Sequence, residues 1–96
     1  MVYVFLADGF EEIEALTPID ILRRAGVSVT SVGVTGKTVT GSHGISVEAD
    51  ITESEAADAL SRADIEAVVL PGGMPGADNL NASSVVEKYI SAAKDC

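Results

Sequence analysis

The sequence predicts an α/β domain, a mainly parallel sheet covered by helices on both faces with one added β-hairpin. Three observations predict it. Val2–Ala7 is a continuous apolar run, the pattern of a strand buried on both faces. A helical stretch over Glu11–Ala25 and the alternating, β-branched segment Val27–Val34 follow, which is β-α-β spacing with a right-handed crossover. Further on, Ile65–Leu70 is apolar and stops at Pro71-Gly72-Gly73. That loop has almost no side chains and lies at the carboxyl end of a strand, where α/β sheets collect their sites.

Each element has a local reason. Asp8-Gly9 breaks the first strand. Ile13, Leu16, Ile19 and Leu22 give the first helix its apolar period, and Gly26 suits its C′ position. Pro18 in its middle removes a backbone hydrogen bond and predicts a kink or a split. Lys37–Thr40 and Ile45–Ala49 flank the turn Gly41-Ser42-His43-Gly44, a hairpin pattern. Thr52 to Glu55 has capping-box spacing and opens a short helix through about Leu60. Ser84 to Glu87 repeats that spacing and opens a last helix with Val86, Ile90 and Ala93 on one side. Between them, Asp78-Asn79 suggests the cap of a short helix.

Composition sets limits. Ninety-six residues make one domain. Hydrophobic residues are 47% of the chain, too many for a disordered segment and more than so small a domain easily hides. Part of that surface is expected to meet another subunit or a further segment. The net charge of −9 argues against nucleic-acid and anionic-membrane partners, which need clustered Lys and Arg. No apolar run approaches the ~20 residues that span a bilayer. A single cysteine excludes an internal disulfide and fits a cytoplasmic setting.

Glu11, Glu12 and Glu14 follow the first strand. Glu11 and Glu12 read as first-turn acids that favour the helix dipole. Glu14 lies among Ile13, Ala15 and Leu16, and a carboxyl desolvated there would stay protonated and serve as an acid. Gly72 and Gly73 offer backbone N–H groups for an oxyanion, with Met74-Pro75-Gly76 extended beyond them as a site wall. His43 stands alone in the hairpin turn and reads as a surface residue rather than a metal ligand. Cys96 follows a helix rather than a strand and reads as a packing or terminal cysteine, since a nucleophile elbow needs a strand leading in.

Three segments together resemble one family. Leu6-Ala7-Asp8-Gly9-Phe10-Glu11-Glu12-Ile13-Glu14, Pro18-Ile19-Asp20-Ile21-Leu22-Arg23-Arg24-Ala25-Gly26, and Val69-Leu70-Pro71-Gly72-Gly73 with Gly76-Ala77-Asp78-Asn79-Leu80 are similar to the ThiJ/PfpI superfamily. The branch is that of the Parkinson-disease protein deglycase and of bacterial relatives labelled thiazole monophosphate biosynthesis proteins. The resemblance implies a flavodoxin-like three-layer sandwich and a homodimer with the first helix near its contact. It also implies a nucleophilic cysteine on an elbow in the second half of the fold. The acidic partner of that cysteine matches Glu14, and the opposing backbone donors match Gly72 and Gly73. The activities implied are cofactor-free glyoxalase, deglycase, chaperone and peptidase roles, several tied to stress. The chain stops on the helix before the elbow, so residues 1–96 are expected to be the N-terminal half of one domain. A C-terminal half or second chain would complete it. The alternatives are a truncated binding or assembly module without catalysis, and a redox-sensing chaperone-like protein.

Overall fold

The computed structural model describes residues 1–94. β1 (Val2–Leu6) is the centre of the molecule, and all five of its residues are buried. Its alternate side chains feed two separate cores. Tyr3 and Phe5, with Ala7 just beyond the strand, face one side, where they meet Val32, Ala56, Ile65, Leu80, Val86 and Tyr89. Val2, Val4 and Leu6 face the other, with Phe10, Ala15, Val29 and Val39. This two-sided burial is why β1 reads as an unbroken apolar run rather than an alternating one.

The sheet is parallel throughout, in the order β5-β2-β1-β6, with β2 at Val29–Gly33, β5 at Ile51–Thr52 and β6 at Ala67–Val69. The antiparallel hairpin of β3 (Thr38–Thr40) and β4 (Ser46–Glu48) stands apart from it, as its turn sequence predicts. β5 escapes a sequence reading because two residues are too few to show a period.

α1 (Glu12–Arg24) and the hairpin cover one face, while α2 (Glu53–Ala59), α3 (Gly76–Asn81) and α4 (Ser84–Lys94) cover the other. The α/β, flavodoxin-like class expected from the sequence is therefore the class observed. α1 runs unbroken through Pro18, so the helix is not split. α2 has the predicted capping box between Thr52 and Glu55. The cap of α4 lies one residue earlier than Ser84. Ser83 Oγ accepts from the Val86 N–H at 3.2 Å and donates to Glu53 Oε2 at 2.6 Å, joining α4 to α2. Tyr89, fully buried, donates to the Ala56 carbonyl at 2.7 Å and packs against the rings of Tyr3 and Phe5.

Asp50 ties the far end of α1 to β2. It accepts from Arg23 Nη2 at 2.7 Å and from the Ser31 N–H at 2.8 Å. Partial burial pushes its carboxyl up, but the Ser31 and Arg23 hydrogen bonds outweigh burial and hold it below the usual aspartate range. Among the described residues no helix is long and apolar enough to cross a membrane.

Candidate functional site

The loops that leave β1 and β6 meet at the carboxyl end of the sheet. The Glu11 N–H donates to the Gly72 carbonyl at 2.8 Å, and the Gly72 N–H donates to Glu14 Oε1 at 2.9 Å. Gly72 is thus held on both sides by the first turn of α1. Asn79 of α3 adds a bond from Nδ2 to the Asp8 carbonyl at 2.9 Å. The two backbones approach too closely for side chains. Gly73 has φ +99°, and a Cβ there would lie 2.6 Å from the Gly9 carbonyl oxygen and 2.7 Å from the Glu11 nitrogen. Only glycine tolerates both that conformation and that approach.

The three residues singled out in the sequence, Glu14, Gly72 and Gly73, therefore come together, with two corrections. Glu14 is exposed rather than buried among apolar neighbours. α1 turns it outward beside Ile13, which is 71% exposed, because Ala15 and Glu12 take the inward positions. Desolvation is thus not what defines Glu14 in this chain; its bond to Gly72 is. The second correction concerns the loop donors. The Gly72 N–H is engaged by Glu14, whereas the Gly73 N–H has no partner among the described residues. Beyond them the chain is not an extended wall. Met74 and Pro75, joined by a cis peptide, make a turn, and α3 begins at Gly76. Asp78 and Asn79 lie within α3 rather than capping it. Cys96 lies outside the described residues.

Glu11 and Glu12 do more than favour the helix dipole. Glu11 is the N-cap of α1 and accepts from the Ile13 and Glu14 N–H groups. Glu12 is buried under the hairpin turn. Its carboxylate accepts from the His43 N–H at 2.8 Å and the Ile45 N–H at 3.3 Å, and it lies 3.0 Å from His43 Nδ1. Gly41 faces that carboxylate so closely that a Cβ would overlap it. His43 is on the surface, as expected, but it is not alone. Burial pushes the Glu12 carboxyl up, yet the hydrogen bonds from His43, its own backbone and Ile45 override burial and bring it down to about 2. The hydrogen bond and charge of Glu12 raise His43 above its ordinary value, with Glu11 adding to the effect. The sequence carries no sign of this pair because its members stand 31 residues apart. Ligand atoms of Glu11, Glu12 and His43 lie within 4.8 Å of one another. Hydrogen bonds already engage both carboxylates, and we assign no metal ligand among them.

At the open side of β6 lies an apolar cavity of 330 Å³ lined by Val68, Leu70, Ile90 and Ala93. The cavity flanks β6 from its middle residue, Val68, to Leu70 just beyond the strand.

Comparison with known proteins decides the lineage. The model of the DJ-1/PfpI family matches residues 1–95. This chain belongs to the DJ-1/PfpI family. It is 40% identical over 88 residues to the Parkinson disease protein 7 homolog of Danio rerio, covering 91% of this chain and 45% of that protein. It is 36% identical over 91 residues to a deglycase of Pyrococcus horikoshii, covering 92% of this chain and 52% of that protein. A cysteine-to-alanine mutant of a DJ-1 superfamily protein from Salmonella typhimurium superposes with a TM-score of 0.87 at 39% identity, over 98% of this chain and 49% of that one. Drosophila melanogaster DJ-1beta gives 0.87 at 34% identity, over the same shares. The chain spans about half the length of these DJ-1/PfpI relatives, and 20% of an Arabidopsis thaliana DJ-1 homolog.

Proposed function

We propose that this DJ-1/PfpI chain supplies the acid and a backbone donor of a cysteine-dependent site acting on α-oxoaldehydes or their adducts. The observation that carries the reading is the bond between the Gly72 N–H and Glu14 Oε1 at 2.9 Å, which holds the acid against the donor loop. The deglycase name of the Pyrococcus relative supports the substrate class. In this reading the nucleophile comes from a C-terminal half or second chain docked along the open side of β6. A strand added there in parallel would end beside Gly72, Gly73 and Glu14, and its flank would fill the cavity at Val68, Leu70, Ile90 and Ala93.

The chemistry follows from these positions. The thiolate adds to the aldehyde carbon, the C–S bond forms, and the carbonyl π pair moves onto oxygen. The Gly73 N–H stabilises that oxyanion. Glu14 Oε1 is held by Gly72, which leaves Oε2 to take the thiol proton as the thiolate forms and to return it to the sulfur when the C–S bond breaks and the product leaves. Conversion of methylglyoxal with water to lactate is an internal oxidation and reduction, so it balances without an organic cofactor or metal. The complete protein is expected to turn over methylglyoxal to lactate, and residues 1–96 alone are not. Absence of turnover by the complete protein removes the substrate assignment.

A second reading, a non-catalytic assembly module, draws on the open β6 edge and the exposed Ile13 and Ile21 on α1. The resemblance implies a homodimer with α1 near its contact. A Thr17→Arg, Ile21→Glu double variant on that outer face would convert such a dimer to monomer in size-exclusion chromatography. An unchanged dimer moves the contact elsewhere.

A further inference from the structure

The pair of Glu12 and His43 lies outside the proposed chemistry. We propose that the Glu12 carboxylate and the His43 imidazole form a protonation-dependent latch holding the β3–β4 hairpin against the first turn of α1. Four observations converge on it. Glu12 is buried, with its side chain 6% exposed, although it is a carboxylate in a chain of net charge −9. The hairpin turn wraps it with the N–H groups of His43 and Ile45, and Gly41 leaves the space that it occupies. His43 Nδ1 closes the ring of donors at 3.0 Å, while its side chain is 72% exposed and free to exchange protons with solvent. The Ser42 N–H, next in the turn, donates to the Phe10 carbonyl at 2.8 Å, so the turn grips the start of α1 at two points.

The charged groups acting on His43 are Glu12, in the first turn of α1, and Glu11, its N-cap, and both favour imidazolium. Ser42 Oγ, 3.2 Å from Nδ1, adds a neutral partner from the turn itself. Protonated, His43 gives Glu12 an ion pair and a hydrogen bond. Neutral, it gives at most the hydrogen bond, and only in the tautomer with hydrogen on Nδ1. His43 is raised in the folded chain, so its contribution is complete below pH 6.5 and is lost as pH rises through the folded value. Glu12 is lowered from 4.5 to about 2, so its contribution is complete above 4.5 and is lost as pH falls toward 2. The latch is tightest between these limits and loosens on the alkaline side.

The hairpin also holds the loop that leaves β1. The Gly9 N–H donates to the Thr40 carbonyl at 2.8 Å, and Asp8 Oδ1 accepts from the Thr40 N–H at 3.1 Å. Loosening of the turn therefore reaches the loop against which Gly73 packs. The latch is independent of any turnover, so its test reads no activity and uses the complete protein. The His43 ring protons are titrated by NMR from pH 5 to 9, and exchange of the His43 and Ile45 amides is followed over the same range, corrected for intrinsic rates. The expected result is a His43 midpoint above 6.5, with amide protection falling several-fold as pH crosses it. In His43→Gln that step disappears, and in Glu12→Gln the His43 midpoint drops. His43 is exposed, so His43→Gln keeps the test valid if Glu12→Gln does not fold. A His43 midpoint at or below 6.5, or protection that stays level through it, overturns the latch.

Discussion

At the scale of single residues, the site depends on positions where a side chain is either forbidden or held at one point. Gly73→Ala would place a methyl against the Gly9 carbonyl and force an L residue to φ +99°. It is expected to cost about 1–3 kcal/mol, measured as a lower urea midpoint at unchanged m. Gly72 and Gly73 were legible in the sequence because a β-branched run ending in Pro-Gly-Gly is a local signal. Glu14 was legible by its place one turn beyond the first strand, but its exposure was not, since the direction a helical side chain faces is settled by what packs beneath it. Glu12 and His43 illustrate the limit of local reading. Each looks ordinary in its own segment, and the carboxylate becomes buried only when the hairpin folds over α1. Their effect on stability is checked by comparing thermal midpoints of the native chain and Glu12→Gln. Glu12 titrates at about 2 in the folded chain against 4.5 ordinarily, so the native advantage is present at pH 6 and narrows as pH falls from 4.5 toward 2. The comparison cancels the general repulsion of a chain of net charge −9, which the two proteins largely share.

At the scale of elements, caps and buried hydroxyls join the helices to one another. Ser83 caps α4 and also bonds Glu53 of α2, so Ser83→Ala removes both contacts. It is expected to cost about 1–2 kcal/mol in denaturant unfolding, whereas Ser84→Ala at the cap suggested by sequence spacing is expected to be close to neutral. Tyr89→Phe keeps the ring contacts with Tyr3 and Phe5 but leaves the Ala56 carbonyl without its donor, at about 1 kcal/mol by the same measurement. Most elements were legible because their apolar periods are local: the buried β1, the hairpin around Gly41-Ser42-His43-Gly44, and the capping box of α2. Those misplaced have physical reasons. β5 is two residues long, and α3 starts after a Met74-Pro75 turn that has no periodic pattern. The α4 cap moved by one residue because two adjacent serines compete, and Ser83 is the one that reaches Glu53.

At the scale of the whole molecule, a four-stranded parallel sheet has Glu14 bonded to the Gly72 loop at its carboxyl end and an apolar cavity along the edge strand β6. The fold class and the family were legible because three motifs occur in order along the chain. What lies beyond the open side of β6 was not, because a sequence shows that an edge is apolar but not what pairs with it. Val68→Lys, on the strand that faces the cavity, is expected to weaken docking of a C-terminal half supplied in trans while residues 1–96 stay folded, as read by pull-down alongside circular dichroism. The central claim is that Glu14, held by the Gly72 N–H, is the acid of a cysteine-dependent site. Its most direct test is the steady-state turnover of methylglyoxal to lactate by the complete protein and by its Glu14→Gln variant. The amide keeps the shape and can accept from Gly72 but carries no exchangeable acid proton. In Glu14→Gln, kcat is expected to fall by about 100-fold or more, the range of general acid catalysis. A variant that turns over methylglyoxal at the native rate contradicts it.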